Sequence, residues 1–139
     1  MKKILIFIIL NLIAFSITAQ VFPGKAKKFI EAYYPEQKIA AIQTDRYFSE
    51  YEVILDNRVY IQFDKKGNLL EIKGSNINLN ILPLEILNLV DIKFPDSKVI
   101  KYEIENFGKR YETYEITLDN GVELEFNKNF ICIDIDYGD

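Results

Sequence analysis

The sequence predicts an α+β fold built from two tandem repeats, each one helix packed on a four-stranded antiparallel sheet. Three observations predict it. The stretch "YEVILDNRVYIQFD" from Tyr51 returns as "YEITLDNGVELEFN" from Tyr114. "FIEAYYPEQKI" from Phe29 returns as "LVDIKFPDSKV" from Leu89, and "LLEIK" from Leu69 as "FICID" from Phe130. The parts keep their order at nearly constant offset, as an internal duplication does. Each half holds one stretch with helical apolar spacing and several with strand alternation.

The chain opens with "MKKILIFIILNLIAFSITAQ". A basic start at Lys2 and Lys3, an apolar run from Ile4 to Phe15 and a small-residue end at Ala19 have the form of a secretory signal peptide, expected over residues 1–19. The run is shorter than the roughly 20 residues of a spanning helix. After cleavage no stable membrane insertion is expected. Losing Lys2 and Lys3 takes the formal net charge from −4 to about −6, which disfavours nucleic acid as a partner. Cys132 is the single cysteine, so no internal disulfide can form and stability must come from packing.

The first repeat is expected over residues 20–74. Ala26, Phe29, Ile30 and Tyr33 share one face of a helix spanning about Lys25 to Tyr34, ended by Pro35. Strands then follow from Lys38 to Thr44, around the hairpin from Tyr51, and at Leu69. A linker, residues 75–80 in "GSNINLN", leads to the second repeat at 81–139. Its helix, from Pro83 to Phe94, carries Ile86, Leu89, Val90 and Phe94, and Pro95 ends it.

Burial selects the hairpin turn. A two-residue turn at Asn57-Arg58 would mix apolar and polar residues on both faces. A three-residue turn, Asp56-Asn57-Arg58, puts Leu55 with Val59, Val53 with Ile61 and Tyr51 with Phe63 on one side. The second copy agrees, pairing Leu118 with Val122, Ile116 with Leu124 and Tyr114 with Phe126. Such a turn ends in a left-handed residue. Gly121 suits that position; Arg58 would occupy it at a cost of about 1–2 kcal/mol. In the last strand, Ile131, Ile133 and Ile135 are expected to be buried, with Cys132, Asp134 and Asp136 facing outward.

The residues that carry this pattern also resemble a known family. They are Pro35, Tyr51-Glu52-Val53, Leu55, Asn57, Phe63-Asp64 and Gly67, then Pro95, Tyr114-Glu115-Ile116, Leu118, Asn120-Gly121 and Phe126. Over about Ala26 to Asp136 the chain resembles the PepSY-like, beta-lactamase-inhibitor-like proteins. It departs at Arg58, at Asn127 in place of an aspartate, and at Asn129, where the closing glycine is missing. The resemblance implies an exported protein of two helix-plus-four-strand repeats without known enzymatic activity. Its motif residues are core and turn positions, so they carry no functional site across.

The chemistry points the same way. With no histidine, triad mechanisms are absent, and one cysteine cannot supply a zinc site. No phosphate-binding glycine loop is present. No catalytic residue, cofactor or metal is therefore expected. The outward sheet face is the candidate protein-binding surface. It comprises Ile54, Tyr60, Gln62 and Leu69 at a mixed apolar end, and Glu115, Thr117, Glu123 and Glu125 at an acidic end. Glu115 is expected directly across from Glu125. The expected function is a non-catalytic binding module, an inhibitor-like or chaperone-like partner of another exported protein, in the periplasm or secreted. The alternative is a structural or cation-binding envelope protein using the acidic face, where weak divalent cation binding would occur.

Overall fold

The computed structural model describes residues 22–45, 47 and 49–138. The expected signal peptide lies outside them. The chain folds as α1 (Gly24–Tyr33), β1 (Ile39–Thr44), β2 (Glu50–Leu55), β3 (Tyr60–Asp64), β4 (Leu69–Lys73), a short 3-10 turn (Leu79–Ile81), α2 (Leu84–Lys93), β5 (Val99–Glu105), β6 (Thr113–Leu118), β7 (Glu123–Asn127) and β8 (Cys132–Asp136).

All eight strands form one antiparallel sheet in the order β1 to β8. The four-stranded sheet expected of each repeat is thus one half of a single eight-stranded sheet. The halves join where β4 pairs with β5, through Glu71 opposite Glu103, Ile72 opposite Tyr102 and Lys73 opposite Lys101. Ile72 is fully buried, so this seam closes one core rather than two.

The hairpin registers are those that burial selects. Tyr51 faces Phe63 and Val53 faces Ile61; Tyr114 faces Phe126 and Ile116 faces Leu124. Leu55 N–H donates to Val59 O at 2.9 Å, and Leu118 N–H to Val122 O at 2.9 Å. Asn57 Oδ1 accepts from Val59 N–H at 3.1 Å, and Asn120 Oδ1 from Val122 N–H at 3.0 Å. Arg58 is left-handed at φ 68°, like Gly121 at φ 88°.

One side of the sheet is covered. Ala26 and Ile30 of α1, with Ile86 and Val90 of α2, are buried in a single cluster with Val53, Ile61, Phe63, Ile116, Leu124 and Phe126. Phe29 meets the Phe63 ring edge-on at 5.5 Å. The two helices therefore supply the second layer of an α+β structure. The linker is tied down where Asn78 N–H donates to Tyr34 Oη and Asn78 Nδ2 donates to Tyr33 O, both at 2.8 Å.

Bulges recur at matching places. The register slips between Gln62 and Phe63 against β4, and between Glu125 and Phe126 against β8. Each inserts one residue, Leu70 or Ile133, and shifts the alternation that follows. Two sequence expectations fail for this reason. Leu69 lies opposite Phe63 and packs on the core, so it leaves the outward face. Cys132 lies opposite Phe126 and packs on the core, while Ile131 and Ile133 are exposed.

A third expectation concerned the turn after β7. The glycine missing from the second copy is replaced by Phe130, not Asn129. Gly67 N–H donates to Asp64 O at 3.0 Å, and Phe130 N–H to Asn127 O at 2.9 Å. Phe130 is left-handed at φ 60°, as Gly67 is at φ 85°.

Candidate functional site

The uncovered side of the sheet carries two rows of side chains that run across all eight strands. Following the registers, one row reads Ala41, Ile54, Tyr60, Lys73, Lys101, Thr117, Glu123, Asp136. The next reads Gln43, Glu52, Gln62, Glu71, Glu103, Glu115, Glu125, Asp134. Strand neighbours are about 4.8 Å apart. From Glu71 to Asp134 the second row is thus an unbroken ladder of carboxylates.

Like charges directly opposite repel, so the ladder needs cations beside it. Lys73 Nζ lies 3.5 Å from Glu71, and Lys101 Nζ lies 2.8 Å from Glu103 and 3.7 Å from Glu115. Burial raises the Glu71 carboxyl above the usual range; Lys73 opposes that shift and Glu103 adds to it. Glu115 is raised as well, by burial first, with Lys101 opposing and Glu123 and Glu103 adding. Burial would lower the Lys101 ammonium, but its hydrogen bond and charge attraction to Glu103 outweigh burial and raise it.

Most of the sequence-expected residues share this face. Ile54, Tyr60, Gln62, Glu115, Thr117, Glu123 and Glu125 lie on the two rows, and Leu69 does not. Glu115 does stand opposite Glu125. Tyr60 differs from its expectation in exposure. It is 7% exposed, because Lys73 lies over its ring with Nζ 4.3 Å from the centroid. Burial, then the charge of Glu52, raises the Tyr60 phenol well above its usual range. The ring is therefore a support for Lys73 and not a free anchor. Sequence reasoning missed the continuity of the carboxylate ladder, since that depends on which strand lies beside β4.

Among the described residues no group of three or more Asp, Glu, Cys or His gathers closely enough to hold a metal ion. The Cys132 thiol sits on the other side of the sheet, and burial raises its pKa.

Comparison with known families decides the kinship. A family model described as "Putative beta-lactamase-inhibitor-like, PepSY-like" matches residues 11–71 and again residues 51–134. The chain belongs to the PepSY-like family. Among solved structures, one from Bacteroides thetaiotaomicron, described as a "putative calcium-regulated periplasmic protein", is 36% identical with a TM-score of 0.71. That match covers 82% of this chain and 89% of the other. A Bacteroides vulgatus structure described as a "putative periplasmic protein from DUF2874 family" is 34% identical over 85% of this chain and 91% of its own, with a TM-score of 0.70. A further structure from Bacteroides vulgatus, described as a "putative periplasmic protein of unknown function", at 24% identity and a TM-score of 0.71, covers 85% of this chain and 94% of its own, and shares the fold. No curated protein matches.

Proposed function

We propose that the protein is an exported, non-catalytic binding module that holds another envelope or secreted protein against the uncovered face of its sheet. The observation that carries this is the pair of side-chain rows. They cross eight strands without a covering layer among the described residues, whereas the opposite side is packed by both helices. A broad polar face with a charge gradient, from Ile54 and Gln62 to Glu125 and Asp134, gives steering and register to an encounter more than raw affinity. The partner that suits its acidic half is a basic protein surface. A periplasmic setting is supported by the relatives described above and by the signal-peptide pattern. Inhibitor-like character is supported by the family's description alone.

Site-specific photo-crosslinking tests the proposal. A benzophenone side chain at Thr117 or Glu123 should trap a stoichiometric partner in periplasmic extract, while one at the exposed helix position Asn88 should not. Crosslinks from Asn88 alone would place the partner on the helical side and reject the face.

One observation favours a second function, weak attraction of a divalent cation to the acidic end without an enclosed ligand set: the 36% identical relative is described as a "putative calcium-regulated periplasmic protein". Carboxylate oxygens are calcium's preferred ligands. A rise in melting temperature with added calcium that is lost in Glu125→Gln would support it; no rise at millimolar calcium would remove it.

A further inference from the structure

We infer that the free edge of β8 is a docking site for an extended, basic segment of a partner protein, which adds to the sheet as a ninth strand. β8 ends the sheet, and among the described residues no strand pairs with its outer side. The first half offers the comparison. β4 occupies the matching place in the first half, with the same bulge before it. Its outer edge is not free: it takes β5, which places Tyr102 beside Ile72. Covered in this way, Ile72 is 0% exposed. Its counterpart Ile135 is only partly buried. A docked strand would finish the burial that β5 completes at Ile72.

Charge then selects the occupant. β4 carries Glu71-Ile72-Lys73, so its edge is mixed. β8 carries Asp134-Ile135-Asp136, so its edge is acidic at both outward positions. Glu125 and Glu123 stand directly behind those aspartates. Among the described residues, the ion pairs of this face engage Glu71, Glu103 and Glu115 and none reaches Asp134 or Asp136. Asp136 Oδ1 accepts a hydrogen bond from Gly138 N–H at 2.9 Å. Pairing of β8 with β8 of a second copy would set aspartates near aspartates, and charged edge residues guard a strand against such self-pairing. A segment with lysine or arginine beside Asp134 and Asp136, and an apolar residue beside Ile135, meets both requirements. Main-chain bonds would supply affinity and the alternate side chains specificity.

The proposal does not rest on the open-face partner, and its test needs none. A short peptide of alternating lysine and valine is titrated calorimetrically into the full chain. Saturable binding with one site per chain is expected, together with slowed amide exchange in β8. The same peptide with every amide N-methylated keeps its charge and loses its donors, and should bind at least tenfold more weakly. Asp134→Asn combined with Asp136→Asn should weaken the parent peptide to a similar degree, and a glutamate–valine peptide should not bind. Equal binding of the N-methylated peptide would mean charge capture by the face and would overturn edge docking. So would absence of binding at millimolar peptide, or a stable dimer whose formation excludes the peptide.

Discussion

Phe130 holds the left-handed backbone position in the second half that Gly67 holds in the first. The surroundings of the two positions differ. A Cβ on Gly67 would lie 2.7 Å from the backbone nitrogen of Ala26, so α1 sits directly on its turn. In the second half Ile86 stands where Ala26 does, and the Phe130 ring packs 5.0 Å from Tyr114. In the first half the Phe22 ring meets Tyr51, the counterpart of Tyr114, at 5.7 Å. The first half thus seats its helix on a glycine turn, while the second fills the matching turn with an aromatic ring.

Gly67→Ala should therefore destabilise by about 2 kcal/mol or more, from left-handed strain and a clash with backbone. Phe130→Gly should cost less than the ~3–5 kcal/mol of deleting a buried phenylalanine, because relief of strain returns about 1–2 kcal/mol. Chemical denaturation of both variants checks the asymmetry. An unaffected Gly67→Ala would mean that α1 stands clear of the turn.

Arg58 shares its conformation with Gly121, and the two turns make the same hydrogen bonds. Arg58→Gly should raise stability by about 1 kcal/mol or slightly less, since glycine also loses more chain entropy. A lower melting temperature would show that the Arg58 side chain contributes more than its backbone costs.

Phe29 and Leu89 occupy matching helix positions, and both are partly buried against the core. Phe29→Ala and Leu89→Ala should each destabilise by about 2 kcal/mol, the lower end for such truncations. Wild-type melting of both would contradict a helical layer on the sheet.

Glu115 gives a pH-dependent prediction. Its folded-state pKa is raised, by burial first. Between the unfolded value and that raised value, the folded state binds more protons than the unfolded one. Stability from this group is thus complete below the unfolded pKa and is lost as pH rises through the folded pKa. Glu115→Gln should melt above wild type at pH 7, and the gap should narrow as pH falls through the folded pKa and close only well below the unfolded carboxyl value of about 4.3, where Glu115 is protonated in both states. A gap independent of pH would show that packing, and not charge, separates the two proteins.

Much of this was legible in the sequence, and what was not has a physical cause. The hairpins at Asp56 and Asp119 could be placed because six apolar pairs must land on one face. The side of Leu69, Cys132 and Ile133 could not, since a bulge adds one residue and leaves no mark on an alternating pattern. The outward placement of Ile54, Gln62, Glu115 and Glu125 followed from the hairpins alone. The carboxylate ladder did not, because Glu71 meets Glu103 only through pairing of β4 with β5, elements separated by a whole helix. Tyr60 reads as an exposed aromatic until Lys73 arrives from β4 to cover it.

Each strand pairs only with its neighbours in sequence, and that has a kinetic meaning. Contacts dominated by adjacent hairpins keep loop-closure entropy low and favour rapid folding. Every ladder but one closes over a short loop. The exception joins β4 to β5, which must wait until the chain from Gly74 through α2 has doubled back. That single closure is the slow clasp of the molecule. Once it forms, unzipping from either end must pass through a shared core.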